Sequence, residues 1–296
     1  MAVAAAWSVA GARSSCCLRL WLAALAGIAS PVCGAPAIRE YIYPQVQHAA
    51  GYRHKMSLSL GGVVLAEGRN DFGQLCDGTN VNRLQPVQVF DDVRMVSAGS
   101  WHTVFVRNNG YAWTCGRNEQ GQLGDGTWLK RVFPKFVLAG NVTGAAAGGF
   151  HTVFLRSDGT VYTAGFNRYG QLGDGSKTSR ALPTHIDSLS SVKAVAAGAF
   201  HSVFLRDDGV AWAVGRNEYG QLGDRTTIGR DKPVPVLDNV VSIRCGEYTS
   251  MFVRGDGTLT IAGLFDSGIR DRTSWQTLQD FTEEEVQSLA PKLSIL

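Results

Sequence analysis

The chain has 296 residues, of which 45% are hydrophobic, 18% are charged and 35 are glycine. The apolar fraction is large enough for a folded core, which excludes a disordered chain, and so much glycine argues against a helical bundle. The glycines do not recur at every third residue, which excludes collagen. The formal net charge of +3 is too small for the footprint of a nucleic-acid-binding protein, so we expect no nucleic-acid partner.

Residues 1–35 have the order of a secretory signal peptide. They contain no acid, Arg13 and Arg19 precede an apolar run over 20–29, and small residues follow up to Ala35. The apolar run is too short to span a bilayer, so we expect no membrane span after processing. We therefore predict a protein of the secretory pathway or the extracellular space. An organelle transit peptide, an uncleaved anchor and a cytoplasmic protein are the alternatives.

Three cysteines remain after such a cleavage, namely Cys76, Cys115 and Cys245. An odd number at wide spacing does not make a disulfide framework. The number allows one bridge, but we expect separate, small buried thiols. Asn141 begins a glycosylation sequon, which matters only if the chain enters the secretory pathway.

The chain repeats a pattern every 48–50 residues, and such repeats decide the architecture. The tripeptide Gly-Gln-Leu occurs at 73–75, 121–123, 170–172 and 220–222. A second marker is a small residue or Cys before a glycine at 51, 99, 148, 198 and 246, followed three residues later by His54, His102, His151, His201 and Thr249. A third marker is a turn pair that ends at Gly62, Gly110, Gly159, Gly209 and Gly257.

Each unit has the pattern of four short strands. Residues 151–156 are apolar and β-branched, the Asp-Gly pair at 158–159 favours a tight hairpin, and 160–164 return as the partner strand. Residues 192–197 form the strand that precedes the next histidine, and segments led by proline supply a fourth strand at the sheet edge. Four antiparallel strands per repeat describe a β-propeller blade, which must stack on its neighbours. We expect Gly99, Gly148 and Gly198 to lie where the inner strands crowd the axis.

The unit from Ala147 to Gly175, AGGFHTVFLRSDGTVYTAGFNRYGQLGDG, resembles the RCC1-type repeat (regulator of chromosome condensation), with close copies at 98–126 and 197–224. The resemblance covers about 46–265 and implies an all-β propeller with units at 46–93, 94–142, 143–192, 193–240 and 241–265. Propellers of that family usually have seven blades, whereas this chain has about five. The first unit is eroded at 57–60 and carries Cys76 in place of a loop glycine, and the fifth unit loses its loop.

The sequence leaves an open arc, an incomplete gene product and a five-bladed ring as alternatives. In a closed ring, residues 41–46 would supply the outer strand that the fifth unit lacks. The tail at 266–296 contains a capping-box pattern at 282–285, which predicts a short helix that ends near Pro291. A disordered end is the alternative for this tail.

The histidines and loop aspartates invite a catalytic or metal-binding interpretation, but a structural one is simpler. One histidine per blade (His54, His102, His151 and His201) implies a bond to backbone between strands, because residues on separate blades radiate apart and cannot converge on a metal. Asp125, Asp174 and Asp224 stand singly among glycines and are expected to form turns instead of a Ca²⁺ site. The sequence contains no catalytic motif, so we predict a non-enzymatic protein without cofactor or metal.

The residue before each histidine is Arg53, Trp101, Phe150, Phe200 or, in the fifth unit, Tyr248. Aromatic residues and arginine are the usual anchors of protein interfaces, so these five form a candidate partner-binding face. The alternative is that they wedge the blades together as core. We predict a scaffold for protein–protein interaction whose partner and oligomeric state the sequence does not identify.

The resemblance also implies two other activities that fit this sequence less well. The alternative function is a guanine-nucleotide exchange factor-like regulator of a small GTPase, but exchange in the family depends on a protruding insertion for which the repeat spacing leaves no room. Light sensing by the family's plant photoreceptor uses a Gly-Trp-Arg-His-Thr pattern, which residues 51–55 echo once with Tyr52. A carbohydrate-active propeller needs paired carboxylates, and no repeated pair occurs.

Overall fold

The computed structural model describes residues 45–264 and 276–277, and all its regular elements are β-strands. They form five four-stranded antiparallel sheets, each built from consecutive strands. The first blade contains β1 (Gln45–Ala50), β2 (His54–Ser59), β3 (Val64–Gly68) and β4 (Arg83–Phe90). The second contains β5 (Val93–Ala98), β6 (His102–Arg107), β7 (Ala112–Gly116) and β8 (Arg131–Leu138).

The other three blades repeat this arrangement. The third contains β9 (Val142–Ala147), β10 (His151–Arg156), β11 (Val161–Gly165) and β12 (Arg180–His185). The fourth contains β13 (Val192–Ala197), β14 (His201–Arg206), β15 (Ala211–Gly215) and β16 (Arg230–Leu237). The fifth contains β17 (Val240–Cys245), β18 (Thr249–Arg254), β19 (Leu259–Gly263) and β20 (Gln276–Thr277).

The blades pack in chain order along their first strands, so that β1, β5, β9, β13 and β17 lie innermost. The five sheets form an arc that does not close into a ring. The predicted all-β propeller of five four-stranded blades is therefore confirmed, in its open form. Within the described residues, no helix is long and apolar enough to cross a bilayer.

The closed five-bladed ring, one of the three alternatives left by the sequence, is not formed. Gln45 and Val46 begin the innermost strand of the first blade, where Gln45 lies opposite Ser59. The fifth blade takes its fourth strand from its own continuation, with Thr260 opposite Thr277. The predicted signal peptide, residues 41–44 and the helix predicted between Thr282 and Pro291 lie outside the described residues.

Each blade junction is filled by the same few side chains. A phenylalanine in the second strand of four blades and the leucine of each Gly-Gln-Leu loop are fully buried. Burial of one such side chain contributes about 2 kcal/mol to the free energy of folding. The core clusters cross from blade to blade, since Val153 and Leu155 of the third blade pack with Val195 and Phe204 of the fourth.

The glycine that precedes each histidine turn allows the inner strands to approach closely. A Cβ built on Gly148 would lie 2.5 Å from Cε1 of His151 and 2.6 Å from the carbonyl oxygen of Gly198 in the next blade. Both distances are too short for a real side chain, which confirms the prediction for these glycines. Every blade therefore has to bring glycine to this position before its neighbour can pack.

A hydrogen-bonded relay joins each blade to the next. His102 Nε2 lies 2.9 Å from Thr152 Oγ1 of the following blade, and that hydroxyl donates back to the Gln122 carbonyl at 2.6 Å. The same relay joins the other junctions, through His54 with Thr103, His151 with Ser202 and His201 with Ser250. The histidines were expected to bond backbone, so the prediction was wrong about the partner of Nε2, which is a side-chain hydroxyl.

The relay determines the protonation state of each imidazole. The hydroxyl has one hydrogen, which it gives to the glutamine carbonyl, so its oxygen must accept a hydrogen from Nε2. Each histidine is therefore neutral with its hydrogen on Nε2. Burial lowers the pKa of His102 and His151 from 6.5 to about 3, and that of His54 and His201 to about 4.

The two ends of the arc lack the groups for this relay. The first blade carries Lys55 at the hydroxyl position, and the fifth carries Thr249 at the histidine position. A relay between the fifth blade and the first is therefore chemically impossible with these residues, which agrees with the open arc.

Cys76 and Cys115 form a disulfide between the first blade and the second, with Cα atoms 5.7 Å apart. The expectation of three separate thiols is thus wrong for this pair, whereas Cys245 is free and buried, and burial raises its pKa. Sequence spacing missed the pair because junction packing creates it. At the next junction the equivalent positions are Gly124 and Ala164, where a Cβ on the glycine would lie 3.3 Å from that of the alanine.

We expect Thr152→Val to lower the free energy of unfolding by about 2 kcal/mol or more, because it leaves the buried His102 Nε2–H and Gln122 carbonyl without partners. Valine has the shape of threonine, so the change isolates the hydrogen bonds. Urea unfolding followed by circular dichroism measures the effect. Thr178→Val, on an exposed loop, is the control. Equal stability of the two variants would contradict the relay.

Acid should destabilise the fold well before the aspartates titrate. The folded pKa of each relay histidine is lowered, so the unfolded chain binds more protons below pH 6.5, and stability is lost as the pH falls from there towards the folded values of about 3 to 4. Each buried imidazole should contribute a loss of about 2 kcal/mol by about pH 5.

Urea unfolding measured at several pH values between about 7.5 and 5 tests this linkage. His102→Gln retains an amide donor but does not titrate, so it should show a shallower dependence than the native chain. A stability that is independent of pH over this range would show that the histidines are not buried in the neutral form.

Candidate partner-binding face

The strand order places two kinds of loop on the same face of every blade. Antiparallel strands reverse direction at each turn, so the turn between the first and second strands and the loop between the third and fourth leave the sheet at one end. The first turn carries the residue before the histidine, and the second loop carries the Gly-Gln-Leu motif. The hairpin turns and the connections between blades lie at the opposite end.

A backbone bond ties the two loops together in every blade. In the second blade, Arg117 N–H donates to the carbonyl of Trp101 at 2.9 Å. Gly116 between them has a φ of +107°, and a Cβ there would lie 2.5 Å from that same carbonyl oxygen. Glycine at the end of the third strand is therefore required for the aromatic residue to sit beside the loop of its own blade.

The Gly-Gln-Leu loops are held by an asparagine and an aspartate. Asn118 Nδ2 donates to Asp125 Oδ1 at 3.0 Å, and its own Oδ1 accepts from Leu123 N–H at 3.0 Å. Asp125 also accepts from the Thr127 hydroxyl at 2.7 Å and from Arg131 Nε at 2.6 Å. Burial alone would raise the pKa of Asp125, but these hydrogen bonds outweigh burial and lower it.

The loop aspartates are therefore occupied as hydrogen-bond acceptors. Asp174 and Asp224 accept from an equivalent asparagine and arginine in their own loops. Among the residues that the structure describes, no group of three or more His, Cys, Asp or Glu side chains is placed to hold a metal ion.

Aromatic rings and arginines form a continuous surface on this face, which we call the aromatic band. Neighbouring ring centroids are 5.1 to 6.4 Å apart, the spacing of favourable aromatic pairs. The rings are those of Tyr52, Phe72, Trp101, Phe150, Phe166, Tyr169, Phe200, Tyr219 and Tyr248, and the arginines are Arg53, Arg69, Arg117 and Arg216.

Arginines connect the rings of different blades. Arg117 lies 4.9 Å from the ring centre of Phe72 in the first blade and 5.8 Å from that of Phe150 in the third. Arg216 lies 5.1 Å from Tyr169 in the third blade and 5.8 Å from Tyr248 in the fifth. Guanidinium groups at these distances are attracted to aromatic faces, so the band runs from the first blade to the fifth without a gap.

Three of the four arginines of the band carry little free charge, whereas Arg53 is exposed. Arg69 pairs with Asp71, Arg117 with Glu119 at 3.0 Å through Nε, and Arg216 with Glu218 at 3.1 Å through Nε. Each acid lies two residues after its arginine and is bound to it directly. The band is therefore suited to stacking and apolar contact more than to attraction of a strongly charged partner.

The structure brings the five residues singled out in the sequence onto one face. Arg53 is exposed, whereas Trp101, Phe150, Phe200 and Tyr248 are half-buried. The sequence left two arrangements open, an exposed binding face or a core that wedges the blades together. The rings combine features of both, because they pack against one another and are still partly exposed at the surface.

Sequence reasoning singled out five of the thirteen members of the band and missed the other eight. Apart from Tyr52, the missed members lie at fixed distances before the Gly-Gln-Leu motifs. They lie one residue before the motif at Phe72, Tyr169 and Tyr219, and four residues before it at Arg69, Arg117, Phe166 and Arg216. Periodicity could have found them, but only the antiparallel turns bring these positions beside the histidine turns.

Asn141, the predicted glycosylation site, lies on the opposite face. It is exposed in the connection between the second and third blades, with a φ of +58°. The following Val142 is buried as the first residue of β9. The asparagine side chain is therefore accessible and far from the aromatic band.

Comparison with known proteins shows which family has this architecture. The model of the RCC1-like domain matches residues 35–286. The ultraviolet-B receptor UVR8 of Arabidopsis thaliana is 33% identical over 104 residues, which cover 34% of this chain and 24% of the receptor. The chain thus matches less than two thirds of that relative's length.

Solved structures show the same fold. Human WBSCR16 has a TM-score of 0.71 at 22% identity and covers 83% of this chain and 69% of its own. Yeast RCC1 (Prp20) bound to Kap60 has a TM-score of 0.64 at 24% identity and covers 78% of this chain and 56% of its own. Structural similarity at sequence identities this low shows only a shared fold. The family model, in contrast, matches most of the sequence. This chain belongs to the RCC1-like domain family.

Proposed function

We propose that this chain is a non-enzymatic scaffold that binds a protein partner through the aromatic band. The observation that carries the proposal is the continuity of the band, whose rings and arginines touch from the first blade to the fifth on one face. Large aromatic side chains and arginine supply most of the binding energy at protein interfaces. A surface that interleaves the two over five blades fits this use.

Pre-organisation of the rings supports the same conclusion. Phe150 and Phe200 are stacked at 5.6 Å with an angle of 17° between their planes, and Phe166 meets both edge-on. Because the rings already restrain one another, a partner would lose little side-chain entropy on binding them. Yeast RCC1 (Prp20) forms a complex with Kap60, and Prp20p binds Gsp1p and histones. Propellers of this fold thus bind proteins, which supports the proposal by analogy.

We expect Trp101→Ala and Phe150→Ala each to weaken capture of the partner by about tenfold or more, because they remove central anchors of the band. The measurement is affinity capture by the immobilised native chain, followed by titration of the recovered protein against each variant. Trp128→Ala and Phe133→Ala are matched controls, since both side chains are exposed outside the band. Thermal unfolding of every variant checks that the fold is retained.

Two outcomes would contradict the proposal. Unchanged affinity in both band variants would remove the band as the binding face. Acceleration of nucleotide release from a small GTPase by the native chain, measured with a fluorescent GDP analogue, would favour the exchange-factor function instead. The repeat spacing of 48–50 residues argues against that second function, since it leaves no room for an inserted exchange element.

We further propose that the protein acts in the secretory pathway or outside the cell. The leader-like composition of residues 1–35 motivates the proposal. The Cys76–Cys115 disulfide supports it, because disulfides persist in oxidising compartments. The exposed position of Asn141 is compatible with glycan attachment.

Amino-terminal sequencing of protein purified from its own cells should find a start near Ala35, and peptide mapping without reductant should recover Cys76 linked to Cys115. Reduction should lower the free energy of unfolding by about 3 kcal/mol, from the lost constraint on the unfolded chain. Cys76→Gly should cost less than Cys76→Ser, because Cys76 has a φ of +63° that glycine adopts without strain. An intact amino terminus with free thiols would contradict the proposal.

A further inference from the structure

The junction between the third and fourth blades differs in charge from the two junctions before it. A cleft of about 560 Å³ lies between the Gly-Gln-Leu loop of the third blade and the outer strand of the fourth. Arg168, Lys177 and Lys232 line it, all three are exposed, and none forms an ion pair within the part of the chain that the structure describes. Tyr169 and Arg216 of the aromatic band form its inner wall.

The other repeats act as internal controls for these three positions. At the first junction the equivalent residues are Asp71, Asn80 and Phe133, and at the second they are Glu119, Trp128 and Leu182. Each of those junctions therefore carries one negative charge and no positive charge at the three positions, whereas the third carries three positive charges. The blade scaffold requires none of the three cations, because the other junctions form without them.

The geometry of the junction fixes where the cations lie. A Cβ built on Gly175 would be 2.8 Å from Cε of Lys232, so the lysine stem crosses the loop of the third blade. Phe133 and Leu182 cross Gly78 and Gly126 in the same way at their own junctions. Lys232 therefore lies across this loop and in the lining that also contains Arg168 and Lys177.

Two carboxylates line the same cleft and reduce its charge only in part. Glu218 is bound by Arg216, with Nε 3.1 Å from the carboxylate. Asp231 is half-buried, and its carbonyl accepts from Gly175 N–H at 3.0 Å. Arg230, also in the lining, is paired with Asp224 at 2.8 Å. The three unpaired cations therefore exceed the one carboxylate that lacks a partner arginine.

We propose that this cleft binds an acidic segment of the protein partner, a short run of Asp and Glu with an aromatic or apolar residue among them. The inference rests on the proposed scaffold function and names the chemistry of one part of the partner. Charge complementarity carries it, because three cations that the equivalent positions of the first two junctions lack line one cleft together with Tyr169. A peptide is favoured over nucleic acid because the charge is confined to one cleft of a chain whose formal net charge is only +3.

The test uses the purified full chain and fluorescein-labelled peptides. The probe is Glu-Asp-Glu-Tyr-Glu-Asp-Glu, its neutral match is Gln-Asn-Gln-Tyr-Gln-Asn-Gln, and a short oligothymidylate is the nucleic-acid arm. We expect fluorescence anisotropy to show binding of the acidic peptide that is at least about tenfold tighter than that of the neutral one, and that weakens from about 50 to about 300 mM salt.

The three cations can be replaced by the residues that occupy the equivalent positions at the other junctions. The triple variant Arg168→Glu, Lys177→Asn, Lys232→Leu takes each residue from an equivalent position, and it should bind the acidic peptide at least about tenfold more weakly. The double variant Lys135→Glu, Lys193→Glu removes the same total charge at exposed sites outside the cleft and should bind within about twofold of the native chain. Arg168→Glu alone replaces the triple variant if the latter fails to fold.

Three results would overturn the proposal: no binding of the acidic peptide, equal binding by the triple and native chains, or tighter binding of oligothymidylate through the same three cations. Failure here is separable from failure of the scaffold function. If Trp101→Ala abolishes capture of the partner while the triple variant captures it normally, the aromatic band is the binding face and the cleft is not part of it.

Discussion

The relay of histidine, hydroxyl and carbonyl across each blade junction is the interaction on which the rest of the structure depends. Each imidazole is buried and neutral, gives its one hydrogen to a hydroxyl of the next blade, and so links two sheets that share no ladder hydrogen bonds. The arrangement admits no side chain on the neighbouring glycine. A single four-stranded sheet could not bury its faces alone, and the relay decides the register in which the next sheet covers it.

The aromatic band follows from the same constraint. The residue before each histidine must emerge on one face, because the imidazole itself points into the junction. Its carbonyl is bound by the first residue after the third strand, which is an arginine in the first, second and fourth blades and Phe166 in the third. This bond brings a band residue beside the turn in each of these four blades. Where rings of neighbouring blades meet, their centroids lie 5.1 to 6.0 Å apart. The recognition surface is thus assembled from residues that the fold has to hold in place in any case.

Repetition makes departures from the pattern informative. Cys76 replaces a loop glycine in the left-handed region and faces Cys115, where the next junction has Gly124 and Ala164. The third junction exchanges an acid and two uncharged residues for Arg168, Lys177 and Lys232. Lys55 and Thr249 remove the relay groups at the two ends of the arc. In each case the unaltered repeats show what the scaffold alone requires.

The sequence by itself determined the blades, because the spacing of Gly-Gln-Leu, of the histidines and of the turn glycines reports local geometry that every repeat must satisfy. It predicted the crowding at Gly148 and the strand at His151–Arg156, and it singled out Trp101 and Phe150 as candidates for a binding face. Only the tertiary structure decided that His102 bonds Thr152, that Cys76 meets Cys115, and that Gln45 opens the first blade. These are contacts between residues that lie 50, 39 and 14 positions apart. Periodicity determines which strands and turns each blade contains. The contacts between neighbouring blades depend on how the blades pack, which no single repeat encodes.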